Sequence, residues 1–295
     1  VVAGRSAEMK IGIGLPNTIP GTPGSLLLDW ARRAEERGFT SLATIDRVAY
    51  PSYESLVALS SAAAVTERIE LFTNILLAPA RSPILLAKEA ASLDQISEGR
   101  LTLGLGIGTR EDDYLAAERD FPTRGRRFDR DLEIMQAAWR GKAVGGSPVA
   151  PGPEPVKDGR VPIMIGGTAD QAIERAVRWG VGWTAGGSGA DQVGPFSERV
   201  RTAWKEGGRP GQPRIAALTY YSILEDRVED SRRSLLDYYA FLGEWAPKIA
   251  DGAPRGAAAV QHTVRSFEEA GVDELIFDPT VADLREVDLL ADAVL

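Results

Sequence analysis

Residues 69–108 read IELFTNILLAPARSPILLAKEAASLDQISEGRLTLGLGIG. The stretch opens on a nearly continuous apolar run (69–78), passes into a segment of helical period (82–97) and ends in a second apolar run (100–108). Ser82 and Pro83 stand where an N-cap and a first helical residue belong, and Gly99 lies just past the helix end. Strands that are apolar on both faces are covered on both faces. The two runs therefore read as neighbours in a parallel sheet, with the helix as their crossover.

The same alternation extends in both directions. Upstream, KIGIGLP (10–16) and SLATID (41–46) read as strands, and LLLDWARRAEERGF (26–39) and YESLVALSSAAAVT (53–66) as helices, the first closed by Gly38. Downstream, strands are predicted at 161–167, 181–187, 214–223 and 272–280. Helices are predicted at 123–140, 168–180, 190–206 and 284–295, with helical segments within 226–270. Eight strands separated by helical segments close most economically as an α/β (β/α)8 TIM barrel. An open doubly wound sheet is the alternative, but no GxGxxG follows any strand, and GLGIG at 104–108 has the wrong spacing for a dinucleotide turn. Residues 9–295 then form one barrel domain, and residues 1–8, ahead of Met9, read as an N-terminal extension. The Pro/Gly-rich segment 141–160 and the segment 224–262 read as insertions and as the expected lids of the barrel mouth.

Composition removes several chemistries. The chain has no Cys, so it has no thiolate nucleophile and no Cys-bound metal centre. Its one His, His262, falls in AAAVQHTVRSF (257–267), an outer-helix pattern, so neither a multi-imidazole zinc site nor a Ser-His-Asp triad is expected. The net charge of −8 offers no basic field for nucleic acid or an anionic membrane. No apolar run reaches the roughly 20 residues of a membrane helix, and the first residues lack the apolar core of a signal peptide. A cytoplasmic location, with neither nucleic acid nor membrane as partner, is the expectation.

Barrel chemistry gathers at the C-terminal ends of the strands. None of the six lysines (Lys10, Lys88, Lys142, Lys157, Lys205, Lys248) falls there, which argues against a Schiff-base enzyme. No cluster of carboxylates with His marks a metal site. Ser188 sits in a near miss to a nucleophile elbow, with Ala190 in place of the last Gly. Glycine is what the strand ends do offer. Gly104, Gly106 and Gly108 alternate on one face, which either leaves room for something flat or relieves packing. Gly166-Gly167-Thr168 ends a strand and opens a helix, an arrangement suited to phosphate, and Gly187 in the following Gly-rich turn offers a further backbone donor. A glycine floor, a phosphate cradle and few acids or bases fit an organic cofactor that carries the hard step, such as a flavin.

KIGIGLP, AEERGFTSLATID, the 69–108 string, VPIMIGGT, VGWTAGG and EAGVDELIFDP together resemble the bacterial luciferase-like family of flavin- and deazaflavin-dependent oxidoreductases, over about residues 9–280. The resemblance implies a (β/α)8 barrel and a homodimer. It implies a third strand ending in a bulge at Thr73-Asn74-Ile75, with a non-prolyl cis peptide between Asn74 and Ile75 behind the cofactor ring. It further implies that Gly106, Ile107 and Gly108 line the cofactor, that Gly166, Gly167 and Thr168 hold its phosphate, and that Asp46 lies beside the polar edge of the ring. The cofactor would be coenzyme F420 or FMN, used for hydride transfer to, or oxygenation of, a small organic substrate. Many relatives carry His after that Asp, whereas this chain has Arg47. A guanidinium stays protonated, so Arg47 is expected to clamp an anionic substrate or stabilise charge on the reduced ring rather than accept a proton. Thr109 replaces a Glu of the sugar-phosphate-oxidising branch, which argues against that role. Tyr50, Tyr53, Tyr220 and Trp183 are candidates for the substrate side. Two alternatives stay open: a non-catalytic relative that only binds the cofactor, and a phosphate-binding isomerase or lyase with no redox cofactor.

Overall fold

Eight parallel strands close a ring in chain order: β1 (Lys10–Gly14), β2 (Ser41–Thr44), β3 (Glu70–Leu77), β4 (Leu101–Gly106), β5 (Ile163–Gly166), β6 (Gly182–Gly186), β7 (Arg214–Tyr221) and β8 (Glu274–Pro279), with β8 pairing back onto β1. This is a (β/α)8 barrel, seen in a computed structural model that describes residues 8–295. The extension predicted ahead of Met9 lies, up to residue 7, outside the described residues. The helices are α1 (Gly24–Arg37), α2 (Ser55–Ala63), α3 (Pro83–Ile96), α4 (Glu111–Ala116), α5 (Arg124–Trp139), α6 (Asp170–Trp179), α7 (Ala190–Glu206), α8 (Val228–Tyr238), α9 (Ala246–Gly252), α10 (Ala257–Glu269) and α11 (Arg285–Val294). Among the described residues no helix is long and apolar enough to cross a membrane.

The near-continuous apolar strands serve two cores. Ile11, Ile13, Leu42, Leu71, Leu103, Ile163, Trp183 and Leu275 face the helices in one cluster. Ala43, Phe72, Met164, Ala216, Leu218 and Ile276 face the barrel axis in another. Alternate side chains of a strand point to opposite faces, so both faces must be apolar when both are covered. The N-terminal end of the axis is closed by a polar plug. Arg214 reaches Glu70 at 2.6 and 3.1 Å and also pairs with Glu274, which accepts from Ser41 Oγ at 2.6 Å.

Two departures from the sequence reading matter for function. The short α4 was not announced by any apolar period: EDDYLA is too brief and too charged to show one. Segment 141–160 is not a lid. It joins the end of α5 to the start of β5, on the N-terminal side of the barrel, and is tied along α3. Lys88 Nζ donates to the Gly152 carbonyl at 2.9 Å, Gln95 Nε2 to the Glu154 carbonyl at 2.7 Å, and the Val156 amide to Asp94 at 2.7 Å. Segment 224–262 does reach the mouth. Its excursion leaves at Ser222 and returns at Gly256, whose amide donates to the Ser222 carbonyl at 2.9 Å. Buried Glu286 anchors its start, accepting from Ser222 Oγ at 2.5 Å and from the Ile223 amide at 2.7 Å.

Candidate functional site

The C-terminal end of the barrel holds two adjoining cavities, of about 510 and about 180 Å³, which share Asn74, Ile75, Gly108, Thr109 and Gly186 in their walls. The larger runs from the ends of β3–β6 to the start of α6. The smaller is a recess under α8 and the 3-10 turn that follows it (Ala240–Trp245).

The floor is made by the end of β3. Pairing with β4 shifts register between Thr73 and Leu76, and the Asn74–Ile75 peptide is cis. Two of the alternating glycines, Gly104 and Gly106, serve this bulge together with Gly166 of β5, whereas Gly108, at φ +62°, lies past the end of β4 against Leu77. A Cβ at Gly104 would stand 1.9 Å from the Thr73 carbonyl oxygen, one at Gly106 2.7 Å from Ile75 Cδ1, and one at Gly166 2.9 Å from Ile75 Cγ2. Their missing side chains are thus first a packing requirement, and what they expose to the cavity is Ile75. Gly186 differs: a Cβ there would meet nothing within 4 Å. Asn74 turns inward across the barrel, where its Oδ1 accepts from Thr184 Oγ1 at 2.8 Å. Its Nδ2 is buried with no partner among the described residues. Thr73 faces the other way, with Oγ1 donating to the Gly104 carbonyl at 2.8 Å, and it lines neither cavity.

The far end of the larger cavity suits an anion. Gly167, at φ +121°, turns the chain out of β5, and Thr168 and Ala169 lead into α6, whose N-terminus is capped by no side chain. Uncapped amides and the positive end of the helix dipole face anions favourably. The Gly167 carbonyl is fixed by Trp183 Nε1 at 2.7 Å. Trp183 therefore lies behind this turn, in the outer core, and not on the substrate side. Two arginines that the sequence did not single out stand here. Arg175 is tied to Asp129 at 2.6 and 3.0 Å. Arg124 donates only to the carbonyls of Gly108 and Phe121, stacks 3.7 Å over the Phe121 ring, and has no carboxylate partner among the described residues. Gly187 is not part of this end. It lies in the recess beside Tyr239, and its amide donates to the Leu218 carbonyl.

Asp46 and Arg47 both line the recess, and both are engaged by the protein itself. Asp46 accepts from Arg81 Nη2 at 2.8 Å, the Leu77 amide at 2.9 Å and Ser55 Oγ at 3.3 Å, so it ties the end of β2 to the end of the β3 bulge. Arg47 is buried and meets Asp113 of α4 through Nε at 3.1 and 3.3 Å. Its Nη2 donates to the Ala49 carbonyl at 3.2 Å, and its Nη1 is buried without a partner among the described residues. The guanidinium lies between the rings of Tyr50 and Tyr238, 4.9 and 5.2 Å from their centroids. Arg47 is therefore a compensated cation, and the free anion clamp expected from sequence is corrected: its charge is already matched by Asp113. Tyr220 lines the recess. Tyr50 instead backs Arg47, and Tyr53 donates away from the site, to the Thr22 carbonyl at 2.6 Å. Tyr238, Tyr239 and Phe241 complete the walls, none of them legible as site residues before the lid was placed.

Asp278, at the end of β8, is buried beside the recess with no partner on either oxygen among the described residues, and burial pushes its carboxyl well above the usual range. It is the register partner of Tyr220 and fills the space that a side chain at Gly14 would need. Among the described residues no group of three or more His, Asp or Glu is placed to hold a metal ion. His262 is exposed on α10.

The chain belongs to the luciferase-like monooxygenase family, whose profile matches residues 9–288. A Mycobacterium tuberculosis protein described as uncharacterized is 28% identical over 231 residues, 68% of this chain and 78% of its own. Among solved structures, an F420-dependent secondary alcohol dehydrogenase, in complex with an F420–acetone adduct, superposes with a TM-score of 0.79 at 16% identity, covering 98% of each chain. The FMN-bound oxygenating constituent of 3,6-diketocamphane monooxygenase from Pseudomonas putida does so with a TM-score of 0.73 at 19% identity, again covering 98% of each. At these identities the structural likeness speaks to the fold that the three proteins share.

Proposed function

We propose that this protein is an oxidoreductase that binds a reduced flavin-type cofactor, FMN or coenzyme F420, in the larger cavity and acts on a small organic substrate in the recess above it. The observation that carries this reading is the pairing, in one cavity, of a flat apolar floor at Ile75 with an anion-receptive end at Gly167–Ala169 and Arg124. A planar ring with a phosphorylated tail has that same polarity. The unpartnered Nδ2 of Asn74 supports it further, because a buried donor without an acceptor calls for a ligand that supplies one. Gly186 leaves open the space that a ring requires.

In this reading Ile75 carries the ring, Asn74 donates to its polar atoms, and the α6 N-terminus with Arg124 and Thr168 receives the phosphate. Gly106, Ile107, Gly108 and Gly166 support the floor. When bound, a reduced cofactor of this kind supplies the hydride or electrons that no side chain of the site supplies. The chain's own part is to hold the cofactor, exclude water beneath the α8 lid and position the substrate. Known members of the fold bind both F420 and FMN, so the test compares the two: fluorescence titration of the purified protein with each. Saturable micromolar binding of at least one is the expected result. A folded protein that binds neither would return the reading to a barrel without redox cofactor.

A further inference from the structure

The recess has its own chemistry. Its walls are aromatic: Tyr238 and Tyr239 meet edge to face at 5.0 Å, and so do Tyr220 and Tyr239 at 5.8 Å, with Phe241 closing the outer side. Every charged group on the wall already has a partner of opposite sign. Arg47 is held by Asp113 at 3.1 Å, Arg110 by Asp112, and Asp46 by Arg81 at 2.8 Å. An anion entering this space would bring an uncompensated charge into a buried site, which costs more than a neutral molecule of the same shape.

Besides Asn74 Nδ2 in the wall shared with the larger cavity, the recess has unused donors of its own. Arg47 lines the recess, and while its Nε meets Asp113 and its Nη2 the Ala49 carbonyl, its Nη1 is buried with no partner among the described residues. The Tyr220 and Tyr239 hydroxyls share one hydrogen bond of 2.7 Å, so one hydroxyl hydrogen is left over. We propose that the recess is built for a neutral aromatic substrate of one or two rings that carries an acceptor oxygen, a phenol or an aryl ketone, with that oxygen received by Arg47 Nη1 and its rings among Tyr238, Tyr239 and Phe241. The volume of about 180 Å³ suits a molecule of that size. Phe241 forms an adjustable side of the slot: it is 42% exposed and lies under the Arg110 guanidinium at 3.9 Å. The assignment rests on the adjoining cavity being the cofactor site.

The test is a calorimetric titration with 2-naphthol, 2-naphthoate and cyclohexanol near neutral pH, where the phenol is neutral and the acid ionised, beside a parallel titration with FMN and F420. The expected result is 2-naphthol binding at least about tenfold tighter than either comparison compound, with Phe241→Ala losing about tenfold of that affinity while keeping cofactor affinity. Naphthoate or cyclohexanol binding as tightly as naphthol would overturn the proposal, and so would a Phe241→Ala protein with unchanged naphthol affinity. Cofactor binding without the naphthol preference removes this assignment and leaves the functional reading standing. The naphthol preference without cofactor binding keeps the aromatic slot and removes the functional reading.

Discussion

Asp113 holds Arg47 with both carboxylate oxygens while one of them, Oδ1, also accepts the Val48 and Ala49 amides at 2.8 and 2.7 Å. The six-residue α4 thereby fixes both the charge and the backbone of the β2 exit, 66 residues away in sequence. Breaking a buried ion pair leaves one charge without compensation. Asp113→Ala is therefore expected to destabilise the protein by about 3–5 kcal/mol, read from the urea midpoint. Replacing the guanidinium as well, in Arg47→Met with Asp113→Leu, should cost clearly less than the two single changes added together. Strict additivity would show that the pair does not act as a unit.

Asp278 makes stability depend on pH with a definite sign. Its carboxyl titrates above the unfolded value near 3.9, so above that pH the native state keeps a proton that the unfolded chain has released. Its contribution is fully present below the unfolded value and is lost as pH rises toward the folded one. Asp278→Asn should flatten this fall, which for one group is at most about 1.4 kcal/mol per pH unit, and should raise stability at neutral pH. The comparison is of urea midpoints for the two proteins between acid and neutral pH. Parallel curves would mean that Asp278 is ionised in the native state.

Gly186 separates space from strain. Its backbone is not in the left-handed region, and a Cβ there meets no protein atom within 4 Å. Gly186→Val is predicted to leave stability within about 1 kcal/mol of the parent and to weaken cofactor binding by tenfold or more, because the new methyl groups occupy the cavity. Unchanged affinity would move the cofactor elsewhere. Gly167 is the poorer probe, since φ +121° penalises any side chain and mixes strain with occlusion.

Arg124 is expected to grip a phosphate and not a ring. Arg124→Met should lower affinity for FMN several-fold and leave affinity for riboflavin, which has no phosphate, nearly unchanged. An equal loss for both would assign Arg124 to packing through its stack on Phe121.

The barrel was legible because both faces of each strand are covered, so strands such as LFTNILL and RIAALTYY stand out as apolar runs between helices of clear period. The site was legible only in outline. The glycines of β4 drew attention for the right strand end but for an incomplete reason: they make room for the β3 bulge, and that depends on register between two strands. Composition marks 141–160 as a loop without telling which end of the barrel it joins, and only the placement of α5 and β5 assigns it to the N-terminal end. Arg47 reads as a free cation until α4 brings Asp113 to it. Tyr238, Tyr239 and Phe241 become site residues only when the β7 excursion folds over the mouth, a long-range placement that no local pattern encodes. Trp183 and Tyr53 show the converse, aromatic residues near strand ends that serve packing and backbone hydrogen bonds.

The most direct test of the whole account is anaerobic titration of the parent and Gly186→Val proteins with FMN and with F420, followed by cofactor fluorescence. The account predicts saturable binding of at least one of them by the parent, weakened by tenfold or more in the variant. Binding of neither to a folded parent protein, or equal binding by both proteins, would contradict it.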